Sequence, residues 1–405
     1  MGYSMKKLKV LLVHRYFWPD SPPYATMLKC IAENLAREGK DVTVFSTQPS
    51  YKKNTSKSDQ VHIETVNGVN IIRKKVWGYD SNNLLYRVYN TATFLVKLVA
   101  HILVAPRYDI VMMSTVPQVV GPFVTAVVAR VKGARFFYHC QDIHPEALKF
   151  GGLVKSDLLF NLLMAVDKAT LVLASKVIVL SDDMKLTLSN RLPVIATKIS
   201  VINNFELPDF ASRDESFSSL SPKGSKFRVL FAGNVGHFQG LELLIDAMLN
   251  LKDNRDIELI VLGDGDSKSF LKEKVVELGL NNVSFFGHQK LGVAKAMIRE
   301  ADLCLVTLAP DIYRCAFPSK TITILAQGTP LLVCVEKESS LASMVLDNDL
   351  GYHCEIRVSQ DISARIFAAY LESGRYDELR YNCMQFYNAN FKTDVVLKFW
   401  SQLMV

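Results

Sequence analysis

The chain has little of what marks a secreted, metal-bound or membrane-spanning protein. Its seven cysteines are odd in number, scattered and never spaced as CxxC, so neither a disulfide framework nor a zinc site is indicated. A reducing cytoplasm fits that usage. Met1 to Val13 carries Lys6, Lys7 and Lys9 before a short apolar run, Val10 to Val13, too brief for a signal-peptide core. The run reads as a first buried strand, and secretion is not expected. Asp and Glu are scarce at metal-ligand spacing, so no metal is expected. No solenoid-length repeat and no low-complexity tract occurs. Helix-turn-helix, zinc-finger and aromatic RNA-binding signatures are also missing, and nucleic acid is not an expected partner.

What is present is apolar and long. Apolar residues make up 49% of the 405 and charged residues 21%, the balance of a folded globular protein. The length exceeds what one core usually serves, so two domains are expected. The net charge of +7 is uneven: residues 1–205 hold 26 Lys and Arg against 14 Asp and Glu, a net +12, leaving −5 for the remainder. A phosphate-bearing substrate or an anionic membrane surface suits the basic half.

Short β-rich runs alternate with helical patterns. Val10–Val13, Val42–Phe45, Ile110–Met113, Phe136–Tyr138, Val177–Leu180 and Ile199–Ile202 are the expected strands of the first half. Arg228–Phe231, Leu259–Leu262, Val283–Phe285, Leu303–Val306 and Leu331–Val335 are those of the second. Helical periods such as Thr26–Glu38, Gly121–Arg130 and Leu241–Asn250 separate them. The fold class is therefore α/β, with two Rossmann-like parallel-sheet domains facing across a cleft. The expected division is 1–210, a polar linker 211–225, a second domain 226–380, and a helical tail 381–405 that packs back on the first.

Three segments could carry chemistry. Gly233-Asn234-Val235-Gly236, followed by Gln239 and Gly240, ends a strand just before a helix, where backbone amides can approach a pyrophosphate; it is equally compatible with a plain strand-to-helix turn. Pro318-Ser319-Lys320 opens another helix, where Ser319 can cap and Lys320 can add a charge, or Ser319 simply caps while Lys320 stays solvated. Tyr138 to Glu146 follows a strand and holds His139, Asp142, His144 and Glu146, at the end where α/β enzymes place catalytic groups. Against this, Asp142 could cap the helix after Pro145 and His139 could fill a core position.

Together with Val201-Ile202-Asn203-Asn204-Phe205, Val261-Leu262-Gly263-Asp264-Gly265, Val283-Ser284-Phe285-Phe286-Gly287 and Ala301-Asp302-Leu303, these segments resemble the family 4 retaining glycosyltransferases of the GT-B fold. The likeness runs nearly end to end, and within the family it is nearest the branch that builds bacterial surface polysaccharides, similar to fucosaminyl- and colanic-acid-type transferases. The resemblance implies metal-independent transfer of a hexosyl-type sugar from a nucleotide sugar, commonly a UDP-sugar, to a lipid-linked or saccharide acceptor of O-antigen, capsule or exopolysaccharide synthesis. No cofactor is implied. Gly233, Asn234, Gly236 and Gln239 would line the diphosphate, Ser319 and Lys320 would meet its oxygens, Gly287 and His288 would lie near the base, and Thr323 near the ribose. Asp142 would face the transferring sugar as the catalytic residue, with Tyr24, His144 and Glu146 toward the acceptor.

The chain departs from the family pattern in three places. Asn234 and Gln239 stand where many members carry Arg and Lys, which leaves Lys320 as the obvious cation. Thr323 stands where the family often has a ribose-binding Glu, and a hydroxyl cannot hold two vicinal hydroxyls as a carboxylate does. The loop Pro19-Asp20-Ser21-Pro22-Pro23-Tyr24 lacks the usual glycines and is stiffer. Leu84–Val104 is apolar and aromatic but contains Lys97 and His101, so it reads as an interfacial helix beside anionic lipid or as an ordinary buried helix, not a spanning one. The first of these would place the protein at the inner face of the cell membrane. A nucleotide-sugar epimerase of the same fold and a non-catalytic nucleotide-sugar-binding protein are the alternatives.

Overall fold

The computed structural model describes residues 7–20, 22–49, 63–76, 84–207, 224, 226–236, 239–355 and 358–405. All of the expected linker except Gly224 lies outside the described residues, as do Ser21, His237 and Phe238. The chain divides into two compact units, residues 1–203 with 396–405 and residues 204–395.

The first unit runs β1 (Lys9–Val13), α1 (Pro23–Arg37), β2 (Asp41–Thr47), β3 (Ile63–Val66), β4 (Val69–Lys74), α2 (Leu84–Val104), β5 (Ile110–Ser114), α3 (Val120–Val131), β6 (Arg135–His139), α4 (Glu146–Phe150), α5 (Asp157–Leu173), β7 (Lys176–Val179), α6 (Asp182–Arg191) and β8 (Ile199–Val201). Its eight strands are ordered β3-β4-β2-β1-β5-β6-β7-β8 and are parallel except for the β3–β4 pair at one edge. Every residue from Val10 to Val13 and from Ile110 to Met113 is buried, as expected of strands covered on both faces. In α1 the buried residues Ala25, Leu28, Ile31, Ala32 and Leu35 recur at helical spacing, and Pro23 at the first turn costs no hydrogen bond. The β3–β4 pair went unread because its alternating, half-exposed pattern gives no apolar run.

The second unit runs β9 (Phe227–Ala232), α7 (Leu241–Asn250), β10 (Ile257–Leu262), α8 (Lys268–Glu277), β11 (Val283–Phe286), α9 (Leu291–Glu300), β12 (Leu303–Thr307), α10 (Lys320–Ala326), β13 (Leu331–Cys334), α11 (Ser340–Asp347), β14 (Gly351–Cys354), α12 (Ser359–Leu371) and α13 (Tyr376–Asn390). Six parallel strands are ordered β11-β10-β9-β12-β13-β14. Val229 and Phe231 point into one core cluster and Leu230 into the other, the period-two alternation of a sheet that fills two layers.

The tail is not one element. Residues 381–405 hold the end of α13 and then α14 (Thr393–Leu403), and the unit boundary falls at 395/396, not at 381. Alpha-13 belongs to the second unit because Arg380 donates to the carbonyls of Ala301 and Gly328 and Cys383 Sγ lies against the Leu350 carbonyl. The last ten residues group with the first unit, where Ser401 accepts from Asn34, Arg135 donates to the Val405 carbonyl, and the Trp400 ring lies 4.7 Å from that of His139.

Candidate active site

In the second sheet the order reverses between β9 and β12, and open α/β sheets bind ligands outside the carboxyl ends at such a switch point. The loop after β9 is the glycine loop. Gly233 (φ +148°) and Val235 donate their N–H groups to the carbonyls of Leu262 and Asp264, at 2.9 Å each. The N–H groups of Asn234 and Gly236 have no partner among the described residues. A Cβ added at Gly263 (φ +145°) would lie 1.9 Å from the Gly233 carbonyl oxygen, and one at Gly265 2.4 Å from that of Val235. The loops after β9 and β10 therefore touch backbone to backbone, which only glycine allows.

The loop after β11 is tied in through Asp264, whose carboxylate accepts from the His288 N–H at 2.7 Å and from Lys268 Nζ at 2.6 Å. The Lys268 ammonium holds that carboxyl below its usual range. Gly287 and His288 are thus placed beside the glycine loops, with the His288 side chain exposed.

Lys320, in the first turn of α10, reaches back to the same place. Its Nζ donates to Gln239 Oε1 at 2.7 Å, sits 4.0 Å from the centre of the Phe231 ring, and is 3.5 Å from where a Cβ on Gly233 would stand. Among the described residues no carboxylate pairs with it. Burial lowers its pKa to about 7, since an ammonium loses hydration there that an amide and a ring face only partly replace. Ser319 occupies the cap position of α10, but its exposed side chain makes no capping bond; the expected cap is not formed because its backbone is already helical, with φ −56° and ψ −23°.

Thr323, one turn further, donates its hydroxyl to Glu206 Oε2 at 2.9 Å. Glu206 also pairs with Lys295 at 2.7 Å. A carboxylate therefore stands beside Thr323, delivered from a distant part of the chain. Nothing in the local sequence around 323 signals it.

In the first sheet the switch point lies between β1 and β5. His14, just after β1, has its Nδ1 2.5 Å from Oγ of Ser114, which ends β5. Tyr24 Oη is 2.7 Å from Nδ1 of His139, the last residue of β6, and the His14 and Tyr24 rings are 4.6 Å apart. Burial lowers both imidazoles to about 3, so both are neutral. Sequence reasoning named Tyr24 but not His14 or Ser114, because neither belongs to a motif. His139 is both core and site: it is buried, yet hydrogen-bonded on both ring nitrogens, the second to Gln141 at 2.6 Å.

Asp142 follows on the next loop. Its side chain caps no helix, because Pro145 holds the cap position of α4, and it makes no hydrogen bond or ion pair among the described residues. Burial alone raises its pKa to about 6. His144 and Glu146 turn elsewhere. The His144 carbonyl accepts from Arg191, while Glu146 shares that guanidinium with Asp167, both at 2.5 Å. Glu146 is thus held in an ion network with the buried Arg191 and Asp167, and His144 Nδ1 is buried without a hydrogen-bond partner among the described residues. Among the described residues no group of three or more His, Cys, Asp or Glu side chains is placed to hold a metal ion.

Residues 24–204 match a family model described as glycosyl transferase 4-like domain, and residues 212–385 match glycosyl transferases group 1. The chain is a glycosyltransferase of the GT-B fold, and the group 1 match is to its second half. This glycosyltransferase is 24% identical over 350 residues, 83% of its length and 86% of the relative's, to the putative colanic acid biosynthesis glycosyl transferase WcaI of Escherichia coli. It is also 24% identical over 284 residues, 68% of its length and 70% of the relative's, to the probable glycosyltransferase WbjE of Pseudomonas aeruginosa. Among solved structures, sucrose-phosphate synthase of Thermosynechococcus elongatus matches with a TM-score of 0.73 at 17% identity over 98% of both chains. Anabaena HepE in complex with UDP matches with 0.67 at 16% identity, over 98% of the glycosyltransferase and 99% of HepE. These last two likenesses speak for the fold.

Proposed function

We propose that this glycosyltransferase moves a hexosyl-type sugar from a UDP-sugar to a lipid-linked or saccharide acceptor in the assembly of a bacterial surface polysaccharide, with retention of configuration and without a metal ion. The observation that carries the donor half is the Lys320 ammonium, which no carboxylate among the described residues pairs with, beside the N–H groups of Asn234 and Gly236, which have no partner among the described residues. Such a pocket is neutralised by an anion, and a leaving diphosphate supplies one. A relative named for colanic acid biosynthesis and a neighbour solved with UDP support the same reading.

On this reading Lys320 and the two amides take up the charge that grows on the diphosphate as the glycosidic bond breaks. The carboxylate of Glu206, steered by Thr323 and Lys295, accepts from ribose hydroxyls in the role the family gives a Glu at the Thr323 position. Gly287 and His288 border the base. Asp142 meets the transferring sugar, and the neutral cluster of His14, Tyr24 and His139 offers hydrogen bonds suited to hydroxyls. The acceptor is met at the inner face of the membrane.

A panel of UDP- and GDP-sugars, incubated with a lipid-linked acceptor extract, tests this by nucleotide release. Release that requires both a UDP-sugar and the extract is expected. Conversion of a UDP-sugar with no acceptor present would point to an epimerase instead, and UDP binding with no transfer to a non-catalytic binding protein.

A further inference from the structure

The outward side of the first unit has a composition that a water-facing helix layer does not normally have. Alpha-3 packs against both α2 and α5, and all three helices turn apolar residues to solvent. On α2 the exposed stripe is Leu85, Tyr89, Ala92, Val96 and Leu103; on α3 it is Val120, Val127 and Val131; on α5 it is Leu158, Leu162 and Ala165. Members of each set are three, four or seven residues apart, which keeps them on one side of a helix. Leu85 is 78% exposed, Val131 72% and Leu158 82%. The opposite side of α2 is the expected buried one, with Phe94, Leu98 and Ile102. Surface helices usually reverse this pattern, and a contiguous exposed apolar area marks a binding surface.

The charges on and beside α2 and α3 are mostly of one sign, while α5 opens on the exposed Asp157, paired with Lys149. From Leu84 to Arg135 the chain holds six Lys and Arg and a single acid, Asp109. A groove flanking the α2 stripe is lined by Lys74, Lys75, Lys97, His101, Val104 and Pro106. Neither Lys74 nor Lys75 forms an ion pair among the described residues. Among the described residues no helix is long and apolar enough to cross a membrane. We infer that the joined face of α2, α3 and α5 docks flat on an anionic lipid bilayer, with the apolar stripes in the headgroup and acyl boundary and the lysine groove on lipid phosphate. This rests on the reading of a lipid-linked acceptor at the membrane and extends it from one helix to three.

Flotation of the full chain with vesicles separates the outcomes. Phosphatidylcholine vesicles containing about one third phosphatidylglycerol are expected to carry the protein upward at low salt, whereas pure phosphatidylcholine carries far less. The double variants Val96→Glu/Leu103→Glu on α2 and Leu158→Glu/Leu162→Glu on α5 change exposed positions, and each is expected to lower the vesicle affinity about tenfold or more. Loss in the α2 variant with none in the α5 variant would overturn the three-helix surface. Equal flotation on neutral vesicles would overturn the anionic preference, and a concentration-dependent dimer abolished by the same variants would assign the face to a second copy of the chain. UDP titration of each variant serves as the control: unchanged UDP affinity shows that the donor unit is intact. Vesicle binding without any sugar transfer would remove the proposed function and leave this inference standing.

Discussion

At the switch point of the second sheet an ammonium, Lys320, rests on an amide oxygen and a phenyl ring beside open backbone N–H groups. At the switch point of the first, two imidazoles are held neutral beside two hydroxyls. The same topology has thus been lined with opposite chemistry. One lining suits a doubly charged leaving group and the other suits uncharged sugar hydroxyls, and on the loop after β6 the Asp142 carboxylate has no partner among the described residues. A transferase needs that division, since the negative charge that develops belongs to the departing nucleotide and not to the acceptor.

The largest expected effect breaks the first-unit half. Asp142→Asn should lower turnover by about a thousandfold while leaving UDP affinity unchanged, read from initial rates and from calorimetric titration of UDP. Turnover within a few-fold of wild type would remove Asp142 from the chemistry. Gly263→Ala comes next. Its Cβ would collide with the Gly233 carbonyl at a backbone angle that favours glycine, so a stability loss on the order of 3 kcal/mol, with weakened UDP binding, is expected. Thermal unfolding measures it, and an unchanged midpoint would show that the two loops are not locked together.

Glu206→Gln sharpens the ribose assignment. If the carboxylate meets ribose hydroxyls, UDP should bind about 1 to 2 kcal/mol more weakly while 2′-deoxy-UDP changes less. Equal losses for both ligands would make Glu206 a support for Lys295 and nothing more. The smallest effect is a proton. The Lys320 pKa is lowered from 10.5 to about 7 in the folded chain, so the unfolded chain binds more protons between those values and stability rises with pH across that window. An arriving diphosphate reverses the shift. UDP binding just above neutral pH should therefore take up a fraction of a proton, seen as a calorimetric difference between buffers of unlike ionisation enthalpy and lost in Lys320→Met. No uptake in wild type would place the diphosphate away from Lys320.

The strands of both central sheets were legible because buried parallel strands are unbroken apolar runs, as in Val10–Val13 and Leu259–Leu262. Edge strands β3 and β14 were not, since their alternating or short patterns look like loops. Of the candidate residues, Gly233, Lys320, Gln239, Thr323 and Asp142 stand in local motifs. The pairings among them and with the rest of the chain do not. Gln239 meets Lys320 across 81 residues, Glu206 meets Thr323 across 117, and His14 meets Ser114 across 100. Such pairings are made by the sheet order, which no local pattern encodes. Glu146 shows the reverse error: a carboxylate near a strand end looked available for acceptor, but Arg191, 45 residues away, claims it.

Lys320 is the centre of the donor half. Titration of UDP into wild type and Lys320→Met near neutral pH should show a loss of about 2 kcal/mol, roughly thirtyfold in Kd, if the ammonium and the amides of Asn234 and Gly236 grip the diphosphate together. Equal affinity in the two proteins would contradict it.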